Sequence, residues 1–165
     1  MSNSTIMKPV SKPTSQNFII NYAWVLASIQ EMVEESIYFC ETFAHTLQAH
    51  HNPQASAVFE RGLRTFQQEQ QMVLEAIQAY QASSNAALPK ISPWEKPYAD
   101  YQHPAVNLMQ AGYLMTDSEA EQRVSKMIQV HRDFYAHLLQ TQTSTEIVKW
   151  VSALQNYCSH CALRD

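Results

Sequence analysis

The sequence predicts an all-α protein, an antiparallel bundle of four long helices arranged as two hairpins with a proline-rich crossover between them. Three observations carry this expectation. Only two of the 165 residues are glycine, Gly62 and Gly112, while alanine, glutamine, glutamate and leucine, all good helix formers, are plentiful. Apolar residues recur at helical spacing over four separate stretches. The third is an internal repeat: Phe43-Ala44-His45-Thr46-Leu47-Gln48 returns as Tyr135-Ala136-His137-Leu138-Leu139-Gln140. Beyond Phe43, aromatics follow after 16 and 23 residues (Phe59, Phe66) and a polar residue after 26 (Glu69); beyond Tyr135, Trp150, Tyr157 and His160 follow at 15, 22 and 25. One deleted residue relates the two halves.

Residues 1–16, rich in Ser, Thr, Asn, Lys and Pro, read as a flexible arm, and residues 17–165 as a single domain. From Asn17 to about His50 an apolar stripe runs through Phe18, Tyr22, Val25, Ile29, Val33, Cys40, Phe43 and Leu47, broken only at Ser36, and predicts the first helix. Asn52-Pro53 is an N-cap followed by proline at the first helical position, and Phe59, Leu63, Phe66, Gln70, Val73 and Ile77 mark the inward face of the second helix. The crossover, about 83–117, holds Pro89, Pro93, Pro97 and Pro104 with Trp94, Tyr98 and Tyr101 between them, and a short helical piece is expected at 105–115. Ser118 to Glu121 offers a capping box for a third helix, whose stripe is Val124, Met127, Ile128, His131, Phe134, Tyr135, Leu138 and Leu139. Thr143 to Glu146 offers another, opening a fourth helix with Ile147, Trp150, Leu154, Tyr157 and Cys161 inward.

Composition narrows the partners. The net charge is −4 and the basic residues are dispersed, so nucleic acid is not an expected partner. No apolar run is long enough to span a bilayer and no signal-peptide pattern opens the chain, so a soluble, cytoplasmic protein is expected. The odd number of cysteines, Cys40, Cys158 and Cys161, fits reduced thiols rather than a disulfide framework.

At these motifs the chain resembles the rubrerythrin-like branch of the ferritin-like superfamily, over roughly residues 17–80 and 118–163. In that family each hairpin carries a glutamate seven residues before an aromatic on its first helix, and Glu-x-x-His on its second. The resemblance implies ferritin-like connectivity and a carboxylate-bridged di-iron site. Here the first-helix positions are Ser36 and Ile128, and the Glu-x-x-His positions hold Phe66-x-x-Glu69 and Tyr157-x-x-His160. All four carboxylate positions of the pattern are substituted, and of its histidines only His160 keeps its type. Iron needs anionic oxygen ligands to offset its charge and desolvation, so a di-iron peroxidase or ferroxidase is not expected.

The expected function is therefore a non-catalytic structural or partner-binding protein that keeps the bundle and carries no cofactor. His131, in mid-stripe, would join Ser36, Gln70 and Tyr157 in a hydrogen-bonded network where the family keeps iron. The alternative is an iron- or zinc-binding protein of oxidoreductase type, with a rebuilt site from Glu69, His131 and His160 and with Glu35 swung inward beside them. A small-molecule binder using the cavity left by the missing cluster is a third possibility. Cys158 and Cys161 read as small core residues, His45, His50 and His51 as solvated groups at a helix C-terminus, and Glu31, Glu34, Glu35 and Glu41 as a solvated face. The aromatic crossover, Trp94 to Tyr101, is expected to pack along the outside of the bundle, with part of a dimer face as the alternative. A homodimer is the expected assembly, and a protein partner is a further option.

Overall fold

The computed structural model describes residues 15–91, 112–142 and 144–162, with side chains described from Tyr22 to Cys161. Among these residues the chain is all-helical: α1 (Ser15–Ala49), α2 (Pro53–Ser84), α3 (Asp117–Thr141) and α4 (Thr145–Ala162). α1 thus begins inside the segment expected to be an arm. The rest of that arm, the aromatic crossover from Trp94 to Tyr101 and the greater part of the helix expected at 105–115 lie outside the described residues.

Local chemistry sets the helix ends. α1 closes as His51 takes a left-handed φ of 60° and Asn52 donates its backbone N–H to Leu47 O at 2.8 Å. Asn52 also starts the next helix: its side chain accepts from Ala55 N at 3.3 Å, and Pro53 follows at the position where a missing N–H costs nothing. The same amide donates to Tyr113 O and Met115 O, at 3.1 and 2.8 Å, tying the entry to α3 onto the α1–α2 turn. α2 ends at Asn85, another left-handed residue, with φ of 52°.

α3 is capped two residues earlier than the sequence suggests. Thr116 accepts from Glu119 N at 3.1 Å and Glu119 reaches back to Thr116 N at 3.3 Å, so the capping box is Thr116/Glu119 rather than Ser118/Glu121. For α4, Ser144 O accepts from Val148 N; the expected cap Thr143 lies outside the described residues.

The apolar stripes meet in one core. α1 packs chiefly on α2, α3 chiefly on α4, and α2 also touches both α3 and α4. Along α1 and α2, Tyr22 meets Tyr80 edge-on at 5.1 Å, Phe43 stacks on Phe59 at 5.0 Å, and Ser56 Oγ donates to Ala44 O at 2.6 Å. Gly62 is needed where α2 touches α1 and α3 at once. A Cβ there would stand 3.1 Å from a Val124 methyl and 3.2 Å from Cys40 Sγ. Burial of Ile29, Met32, Phe59, Phe66, Phe134 and Leu154, each nearly solvent-free, contributes roughly 1.5–3 kcal/mol per side chain.

Candidate functional site

All four helices send a polar side chain to one solvent-free point. α1 supplies Ser36, α2 Glu69, α3 His131 and Tyr135, and α4 Cys158; the first four are 0% exposed and Cys158 is 2% exposed. Helical spacing explains two of these placements. His131 and Tyr135 are four apart and so share a face, and Glu69 lies three beyond Phe66 on the inward face of α2.

Glu69 is the hub. Its two oxygens face His131 Nδ1 at 2.9 Å each, Tyr135 donates its hydroxyl to Oε1 at 2.5 Å, and Cys158 Sγ lies 3.5 Å from the same oxygen. A carboxylate meeting an imidazole N–H, a phenol and a thiol acts only as an acceptor. The other ring nitrogen of His131, Nε2, is 2.7 Å from Ser36 Oγ. Phe66 covers the imidazole, with ring centroids 4.9 Å apart. Every polar group of the cluster therefore has a protein partner, which is what burial without water requires.

Burial also sets the acidities. The Tyr135 phenol is pushed well above its ordinary value by desolvation and then by the Glu69 charge. The Cys158 thiol is driven up by burial, then by Glu69. Cys40, in an apolar setting, is raised to about 12 by burial. These thiols stay protonated at neutral pH, the reverse of what nucleophilic or redox chemistry needs.

The residues singled out in the sequence divide. Glu69 and His131 meet at the centre. His160 does not join them: it is exposed on α4, with Nδ1 2.7 Å from Asn156 O. Glu35 is half-buried on the flank of α1, in a groove with Glu31, Glu34 and Tyr38 on one side and Lys90 on the other. Burial and neighbouring Glu31 raise the pKa of Glu34 there. Of the expected network only Ser36 and His131 take part. Gln70 is half-buried, and Tyr157 instead donates its hydroxyl to Thr65 O at 2.8 Å. Of the four substituted positions in the family's pattern, Phe66 and Ile128 are buried in the apolar core, Tyr157 is packed against it, and Ser36 belongs to the cluster. Tyr135 and Cys158 were not legible as partners. The usable signal for Tyr135 was a phenol on the same face as His131, since a buried Tyr hydroxyl seeks an acceptor; Cys158 carried no comparable sign.

Ser36, His131 and Glu69 are linked hydroxyl to imidazole to carboxylate, the order of a hydrolase triad. The resemblance ends there, because Ser36 is 0% exposed in mid-helix, where no substrate carbonyl can approach it. A carboxylate-bridged iron pair does not fit either: the centre has one carboxylate and one imidazole, walled by Phe66 and Tyr135. A single ion is a different case. Oxygen, nitrogen and sulfur atoms of Glu69, His131 and Cys158 all lie within 4.8 Å of one another, the spacing of three ligands around one metal.

Among the described residues, fold and site together define an all-helical arrangement built around a buried glutamate–histidine–cysteine group. No protein family model, curated protein or solved structure matches the chain. No helix among the described residues is long and apolar enough to cross a membrane.

Proposed function

We propose that the chain is a non-catalytic bundle of ferritin-like connectivity, acting as a structural or partner-binding protein, with a hydrogen-bonded polar core where the family keeps its irons. The observation that carries this reading is Glu69. Its carboxylate is taken up by His131, Tyr135 and Cys158, and the sixth side chain at the centre, Phe66, is apolar. An antiparallel course of α1 and α2 accords with contacts that run in opposite directions along the two helices, Tyr22 to Tyr80 at one end and Ala44 to Ser56 at the other. A reducing compartment such as the cytoplasm suits three thiols that form no disulfide.

The test is elemental analysis of tag-free protein from iron- and zinc-supplemented cultures, on wild type and His131→Ala. Metal far below one equivalent in both is the expected result. One iron or zinc per chain, lost in the variant, overturns the reading.

A second reading rests on the convergence of Glu69, His131 and Cys158: a mononuclear zinc or iron site, with Tyr135 beside it. The metal would replace the proton on Cys158 and the one shared between His131 and Glu69, and would act as a Lewis acid or structural clasp. Stoichiometric metal that Cys158→Ser weakens and His160→Ala leaves intact supports this site over one built on His160.

A further inference from the structure

A second feature lies outside the buried cluster. A groove of about 480 Å³ opens between α2, α3 and α4. Its α2 wall runs from Val58 to Gln68, about 15 Å of helix, and its apolar lining comes from Val58 on that wall, Val124 and Ile128 on α3, and Tyr157 and Cys161 on α4. Two guanidinium groups, Arg61 and Arg64, stand on this wall. Arg61 is 3.5 Å from Glu121, with both side chains more than half exposed, a weakly held pair. Arg64 is exposed and makes no ion pair among the described residues. The groove thus carries two positive groups against one negative in a protein of net charge −4.

We propose that this groove binds an amphipathic monocarboxylate of medium chain length, its headgroup on Arg64 and its alkyl chain along Val124, Ile128, Tyr157 and Cys161. The volume lies within the ~300–1,000 Å³ range of small-molecule sites. The planar fork of arginine matches a carboxylate in shape and charge. Tyr157 ties that wall together: its hydroxyl donates to Thr65 O, so the side chain bridges α4 to α2. The site shares no side chain with the Glu69 cluster, so it stands or falls independently of the function proposed above.

The test uses the full chain and decanoate below its micellar concentration, with decanol and inorganic phosphate as partial probes. Calorimetry is expected to give saturable 1:1 binding of decanoate, with decanol and phosphate each weaker by about tenfold or more, the loss of one charge-assisted contact or of the apolar chain. Arg64→Gln, an exposed substitution whose folding is checked by its thermal melt, is expected to weaken decanoate by a similar factor. Arg64→Lys, which keeps the charge without the fork, falls between. Decanoate is also expected to slow iodoacetamide labelling of Cys161, read by peptide mass spectrometry. Equal affinity for decanol, unchanged affinity in Arg64→Gln, no saturable heat, or undiminished labelling of Cys161 at saturating decanoate would each overturn the proposal.

Discussion

At the scale of single residues, Glu69 decides the character of the core. Replacing one partner in a buried polar group costs more than the pair itself contributes, because the others are left unsatisfied. Glu69→Gln removes the charge and turns an amide N–H towards donors on His131 and Tyr135. A loss of about 3–5 kcal/mol in urea unfolding is expected. Tyr135→Phe deletes one donor and leaves the carboxylate with His131 and Cys158, so a smaller loss of about 1–3 kcal/mol is expected. The reverse ranking would mean that Tyr135, not Glu69, organises the cluster. The face of α2 was only half legible at this scale. Phe66 and Val73 are inward as the apolar stripe indicates, but between them the buried position belongs to Glu69 rather than Gln70. Periodicity sets the face to within one residue, and only the partners on α3 and α4 select which polar side chain turns in.

At the scale of the elements, two small residues do work that no stripe reveals. Asn52 caps α2 and holds the Tyr113–Met115 turn with the same amide. Asn52→Ala is expected to cost about 1–2 kcal/mol from the cap, whereas Asn52→Ser, which keeps a capping oxygen but loses the amide donor, recovers part of that. Chemical unfolding of the pair separates the two roles. Gly62 marks the closest approach of α2 to α1 and α3. Gly62→Leu must push aside Val124 and Cys40, and a loss of about 1–3 kcal/mol from overpacking is expected by thermal melt. The caps at Asn52-Pro53 and the existence of all four helices could be read from the chain, since caps and periodicity are local. The start of α3 could not, as Thr116 and Ser118 both stand three before a glutamate and only the structure shows which pair closes.

At the scale of the whole molecule, burial of weak acids ties stability to alkaline pH. Cys40 is raised to about 12, and Cys158, Tyr135 and Tyr157 are raised as well, chiefly by burial. A raised pKa favours the protonated folded form, so this stability is fully present below the ordinary thiol value of about 8.5 and is lost as pH rises from there towards 12. In that window each thiol contributes a slope of up to about −1.4 kcal/mol per pH unit. Cys40→Ala is expected to reduce the slope by about one proton in denaturant titrations from pH 8 to 11. An unchanged slope would show that Cys40 ionises as readily in the folded chain as in the unfolded one.

The sequence by itself determined the all-helical class and, at Ser36, His131 and Glu69, polar residues at positions facing or bordering the interior. Helix formation and amphipathic spacing depend on neighbours within a turn or two, so a linear reading reaches them. Only the tertiary structure decided that Glu69, His131, Tyr135, Ser36 and Cys158 meet, that His160 and Glu35 stand apart from them, and that Arg64 borders an apolar groove. Those relations span up to 95 positions in the chain. They depend on the rotation and depth of each helix against the other three, which no local pattern encodes.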